Sequence, residues 1–168
     1  MDLFKYLESV YKISEEAHKA LSLFISEKTY GKNEIIQPIG SRCRTVYFVK
    51  DGCARIFYLK EGNDITEHFA FQNEIIIRAE SLFTGKPTAK GIQTIEKTTM
   101  MGIDSDSLFK LYDQHHDIER LCRLLFEKEY VNTVKRIESL QFKSAKERYV
   151  ELLETTDYER KIPLKLKK

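Results

Sequence analysis

All seven glycines of this 168-residue chain fall between Gly31 and Gly102, and after Gly102 neither glycine nor proline recurs until Pro163. Glycine and proline are the residues that interrupt regular structure, so this distribution separates a turn-rich centre from flanks free to run as helix. Pro38 and Pro87 fall in the same central interval. There, β-branched and aromatic runs alternate with turn signals, predicting strands at Thr45 to Val49, Cys53 to Leu59, Ile65 to Phe71, Ile75 to Ile77, Ile92 to Ile95 and Thr98 to Ile103. Short strands at this spacing predict a barrel or sandwich. The Asp51-Gly52 pair and the Glu61-Gly62-Asn63-Asp64 run can adopt positive φ, and both are expected to close hairpins.

Before residue 30 the apolar positions Leu3, Leu7 and Val10, then Ala17, Leu21, Phe24 and Ile25, recur at helical intervals. Ser14, followed by Glu15 and Glu16, is placed to cap the second of two helices. Beyond Gly102, Asp104 is placed to cap a short helix through Tyr112. A longer helix is expected from about Asp117 to Phe142. Ser144-Ala145-Lys146-Glu147 forms a capping box, which starts a further helix carrying Tyr149, Val150, Leu152 and Leu153.

The long helix has two apolar stripes. One contains Ile118, Leu121, Leu124 and Leu125, the other Phe126, Tyr130, Val134, Ile137 and Leu140. Two stripes require two partners, and a small two-layer domain has little core with which to cover a helix all round. The economical arrangement packs the first on the strands and the second on the same helix of another copy, making Phe126, Tyr130, Val134, Ile137 and Leu140 a homodimer interface. The alternative buries both stripes within one chain.

With 28 basic and 26 acidic residues the formal charge is only +2, so the whole-chain field does not draw the protein to nucleic acid or lipid. Cys43, Cys53 and Cys122 are odd in number and lack zinc spacing, which fits a reducing compartment. The first residues lack the pattern of a signal peptide and no segment is apolar enough to span a membrane; the expected location is the cytoplasm. No GxSxG elbow, Walker loop or His-x-His pair occurs, so no catalytic residue is assigned and no enzyme is expected. The predicted strands contribute only His68, too few imidazoles for a cupin metal. No metal site is assigned.

Several strings resemble the Crp/Fnr family of bacterial regulators. Tyr30-Gly31-Lys32-Asn33-Glu34-Ile35-Ile36 resembles the family's first roll strand, Val46 to Arg55 its second hairpin, and Glu61 to Thr66 the next turn. Ser81-Leu82-Phe83-Thr84-Gly85-Lys86-Pro87 is similar to the segment that opens the phosphate-binding cassette, and Ser144 to Leu153 resembles the hinge to the DNA-binding domain. The resemblance implies an α+β fold: an antiparallel β-roll or jelly roll of the cyclic-nucleotide-binding type, with N-terminal helices and a long C-terminal dimerisation helix. It places the sensor domain at residues 1–143. Residues 144–168 then form the hinge and the start of a helix-turn-helix domain.

The implied function is the ligand-sensing and dimerisation domain of a transcription regulator; the alternative is a stand-alone small-molecule-binding module acting through a protein partner. The implied ligand is a cyclic nucleotide or another small phosphorylated effector, with no further cofactor assigned. Three scattered cysteines cannot hold the iron–sulfur cluster of some family members. Haem would have to draw on His18, His68, His115 or His116.

Cyclic-nucleotide-binding members hold ribose with a Gly-Glu pair and phosphate with an Arg-Ser pair. Here Ile77-Arg78-Ala79-Glu80-Ser81 and Thr88-Ala89 stand in those places. Losing a charge-assisted phosphate contact removes about 1.5–3 kcal/mol, roughly tenfold to hundredfold in affinity, so tight cyclic AMP binding is not expected. Arg78 is the candidate substitute anchor, with Glu80 or Ser81 holding a hydroxyl and Thr88 the polar edge. The alternative makes Arg78 a solvated edge-strand charge. Thr133 matches the long-helix position that faces the base. The Lys161 to Lys168 segment resembles only the start of the helix before the turn, so DNA contact requires a recognition helix not found in this sequence.

Overall fold

The computed structural model describes residues 3–155 of the chain, with side chains to Glu151. The Leu152 and Leu153 side chains and the basic Lys161 to Lys168 segment lie outside the described residues.

Two N-terminal helices, α1 (Leu3–Val10) and α2 (Glu15–Phe24), lead into the strands β1 (Ser26–Tyr30), β2 (Ile35–Gln37), β3 (Thr45–Asp51), β4 (Ala54–Lys60), β5 (Asn63–Ala70) and β6 (Ile75–Ile76). A short helix α3 (Ala79–Thr84), strands β7 (Lys90–Thr94) and β8 (Thr98–Asp104), and helices α4 (Ser105–Gln114), α5 (His116–Phe142) and α6 (Ala145–Thr155) follow. The strands form two antiparallel four-stranded sheets, ordered β1-β8-β3-β6 and β2-β7-β4-β5. This is the expected α+β roll with a long C-terminal helix.

The caps follow the expected chemistry. Ser14 Oγ accepts from the Ala17 N–H at 3.2 Å and Asp104 Oδ1 from the Ser107 N–H at 2.9 Å. Ser144 and Glu147 satisfy each other's backbone N–H groups at 2.7 and 3.3 Å, the reciprocal pair of a capping box. The Ser14 N–H also donates to Asp117 Oδ2 at 2.7 Å, tying the start of α2 to the start of α5. Helix α4 runs on to Gln114. His115 lies between the two helices and His116 opens α5 with its Nδ1 3.6 Å from a Glu119 carboxylate oxygen.

Two strands escape the period-two signal. Strand β1 reads Ser-Glu-Lys-Thr-Tyr and buries only Tyr30, because it sits at a sheet edge where one partner, β8, supplies its hydrogen bonds. The three-residue β2 likewise pairs only with β7.

The two expected hairpins have different outcomes. Glu61 (φ 53°) and Gly62 (φ 80°) form the two-residue reversal between β4 and β5, with Lys60 opposite Asn63. Asp51-Gly52 does not close a hairpin: β3 and β4 lie in different sheets, and Gly52 (φ 96°) turns the corner between them. A Cβ at Gly52 would stand 2.8 Å from the Lys97 carbonyl oxygen, so the crossing is tight as well as left-handed.

The core has two parts. Val49, Ala54, Ile56, Ala70, Ile76, Ile92 and Met100 fill the space between the sheets. Leu3, Leu7, Ala17, Leu21, Phe48, Ile103, Leu108, Ile118, Leu121 and Leu125 join the helices to the outer face of the β3–β8 sheet. Inside the second sheet Arg55 is buried, yet both terminal nitrogens reach Asp64 at 2.6 Å and its Nε reaches Gln93 at 2.9 Å, so the charge is compensated.

The first stripe of α5 is buried as expected at Ile118, Leu121 and Leu125, with Leu124 partly covered. The second is not buried within the chain: Tyr130 is 71%, Ile137 48% and Leu140 55% exposed. Phe126 and Val134 are half-buried. The described residues therefore do not bury both stripes.

Candidate functional site

The isoleucine run Ile75-Ile76-Ile77 carries the chain off β6, and Arg78 takes the N-cap position of α3. A cavity of about 620 Å³ lies between this segment, β5 and α5. Of the residues expected to bind ligand, Arg78, Glu80 and Thr133 line it.

Arg78 is only 8% exposed, which overturns the reading of a solvated edge-strand charge. One of its terminal nitrogens stands 3.4 Å from Glu67 Oε1, and its buried Nε has no hydrogen-bond partner. Lys90 pairs with the other Glu67 oxygen, and Arg136 on α5 donates to the Glu67 carbonyl. Burial pushes the Glu67 carboxyl up, but the hydrogen bond from Lys90 and the charges of Arg78, Lys90 and Arg136 outweigh it, and the net shift is downward. Beside it, burial takes the His68 imidazole down to about 4, helped by Arg136 and Arg78 and opposed by Glu67. The His68 side chain is thus neutral at pH 7.

Thr133 is exposed at the rim and donates its hydroxyl to the Glu129 carbonyl at 2.9 Å, leaving its oxygen free to accept. Glu80 is exposed at the same rim. Ser81 and Thr88 are placed differently. Ser81 Oγ is buried, accepting from the Cys43 N–H at 2.8 Å and donating to the Lys86 carbonyl at 2.5 Å. Thr88 is buried against the loop at Gly40 and Ser41, exchanging backbone hydrogen bonds of 2.8 and 3.1 Å, and its hydroxyl accepts from Lys90. Both hold the α3 segment onto its neighbours, and neither lines the cavity.

Glu67, His68 and Arg136 line the cavity without having been singled out for it in the sequence. Arg136 had a usable signal: it lies three residues after Thr133, on the same face of a helix. Glu67 and His68 had none, since adjacent strand residues point to opposite faces unless a bulge intervenes. The β4–β5 pairing does shift register between Ile56 and Phe57, opposite this pair. Among the described residues no group of three His, Cys, Asp or Glu side chains is placed to hold a metal ion.

The sequence profile of the cyclic nucleotide-binding domain matches residues 27–115, more than half of the chain. The chain belongs to that family. The matched segment runs from β1 to the end of α4. A comparison with curated proteins gives no match.

Among solved structures, this cyclic nucleotide-binding domain is similar to Thermus thermophilus Catabolite Activator Protein, with 17% identity and a TM-score of 0.63 over 82% of this chain and 63% of that one. It is similar to FixK2 from Bradyrhizobium japonicum, with 22% identity and a TM-score of 0.66 over 80% and 67%. It also resembles the sensor domain of the transcriptional regulator DNR from Pseudomonas aeruginosa, with 15% identity and a TM-score of 0.63 over 84% and 93%. The first two of these neighbours are Crp/Fnr-family regulators, as the resemblance implied. The chain spans less than two thirds of the Thermus protein. No helix among the described residues is long and apolar enough to cross a membrane.

Proposed function

We propose that the chain is the effector-sensing and homodimerising domain of a Crp/Fnr-type transcription regulator. One observation carries this reading: α5 lines the roll cavity with Tyr130, Thr133 and Arg136 while the same helix leaves Ile137 and Leu140, which do not line it, exposed. An occupant of the cavity touches the roll through Arg78 and the helix through Arg136. It therefore reports on the angle at which two such helices pack, provided its affinity differs between two dimer arrangements. DNA contact, on this reading, requires a helix-turn-helix.

The cavity does not fit the usual cyclic nucleotide. The stretch Ile77-Arg78-Ala79-Glu80-Ser81 stands where the ribose-holding Gly-Glu pair is expected and contains no such pair, and Thr88, at the place of the phosphate-holding arginine, is packed into the Gly40–Ser41 loop.

The test is oligomeric state. The native chain is expected to sediment as a dimer and the Tyr130→Asp, Ile137→Asp double variant as a folded monomer. A monomeric native chain, or a double variant that remains dimeric, overturns the assignment of α5 as the interface.

A further inference from the structure

We infer that the cavity between the roll and α5 takes a small amphipathic acid, a ligand with one carboxylate head held by Arg78 and Arg136 and an apolar body lying beneath it. The inference rests on the reading of this cavity as the effector site.

The head is argued from Arg78. The residue is only 8% exposed and lines the cavity, but its Nε–H has no acceptor among the described residues and its ion pair with Glu67 is long, at 3.4 Å. That pair is with Glu67, whose carboxylate is also taken by Lys90. A buried donor without an acceptor is costly, and a planar guanidinium edge matches a carboxylate in two parallel hydrogen bonds. Arg136 adds a second cation at the same wall.

The single charge is argued from the rim. Glu80 and Glu129 line the cavity together with Glu67, so the wall carries no excess of positive charge, and what it offers a head group is the unpartnered Arg78 Nε–H. A second negative charge on the ligand would face these acids without a further cation to meet it.

The apolar body is argued from the floor. Ile56, Ile75, Ile76, Leu108 and Leu125 line the inner part of the cavity. A smaller cavity of about 70 Å³ adjoins it, sharing Val46, Ile75, Leu108, Cys122 and Leu125 in its lining. Sugar hydroxyls placed against such walls would lose their hydrogen bonds, whereas an alkyl or aryl group gains from the burial. A volume of about 620 Å³ is ample for a medium-chain or aromatic acid.

The experiment is thermal shift and calorimetry on the full chain with octanoate as the probe. Octan-1-ol keeps the tail without the charge, acetate keeps the head without the tail, octyl phosphate adds a charge, and cyclic AMP replaces the tail by a sugar and base. Octanoate is expected to raise the melting temperature and bind more tightly than all four. Arg78→Gln is expected to weaken octanoate binding about tenfold to hundredfold. Arg136→Gln, at an exposed helix position, is expected to act in the same direction and serves if the first variant fails to fold.

Octan-1-ol binding as well as octanoate, or octanoate binding unchanged in both variants, overturns the carboxylate head. Tighter binding of octyl phosphate or cyclic AMP overturns the single-charge amphiphile and leaves the sensor reading intact. Binding of no probe overturns the inference, and the sensor reading falls with it only if the native chain is also monomeric.

Discussion

The Cys43 backbone N–H donates to Ser81 Oγ at 2.8 Å across 38 residues, which clamps the start of α3 onto the loop before β3. The same hydroxyl donates to the Lys86 carbonyl at 2.5 Å, so a fully buried serine satisfies two backbone groups at once.

Ser81→Ala should consequently behave as a stability variant. It strands a buried N–H and a carbonyl, and a loss of about 1–3 kcal/mol in unfolding free energy is expected from urea denaturation. Ligand affinity measured well below the melting temperature should stay within a few-fold of the native value. A large affinity loss with unchanged stability would return Ser81 to the binding site.

Gly52 and Gly62 both have positive φ, but their surroundings differ. A Cβ at Gly62 meets nothing within 4 Å, whereas one at Gly52 meets the Lys97 carbonyl oxygen at 2.8 Å and Thr98 Cα at 2.9 Å. Gly62→Ala is expected to cost about 1–2 kcal/mol from backbone strain alone. Gly52→Ala adds overpacking against backbone and is expected to cost roughly 2–5 kcal/mol. Equal losses in urea midpoints would show that the sheet-to-sheet corner relaxes freely.

His68 predicts an acid-side weakness. Its folded value of about 4 lies below the ordinary imidazole value of 6.5, so between those limits the unfolded chain binds a proton that the folded chain refuses. The contribution is complete above pH 6.5 and is lost as pH falls towards 4, by up to about 3 kcal/mol. Urea midpoints from pH 7.5 to 4.5 should fall less steeply in His68→Gln than in the native chain. Parallel slopes would mean that the imidazole is solvated.

The features legible in the residues are those fixed over short separations. Ser14, Asp104 and the Ser144–Glu147 pair cap helices because a cap needs only a side chain and the N–H groups two or three residues on. The Glu61-Gly62 reversal and the two stripes of α5 are local in the same sense. Strand β1 was illegible because an exposed edge strand carries no alternating pattern. Asp51-Gly52 was misread because a turn sequence specifies backbone angles and not which sheet the next strand joins.

The chain of residues alone determined the division into helices, a turn-punctuated β compartment and one long uninterrupted helix, since turn, cap and periodicity signals act through the backbone nearby. Tertiary packing alone decided that Arg78 is buried beside Glu67, that Ser81 and Thr88 serve backbone groups, and that Arg136 reaches the roll from α5. The reason is physical: a side chain's burial and partners depend on which distant segment covers it, and residues 67, 78 and 136 become neighbours only when the helix closes over the sheets.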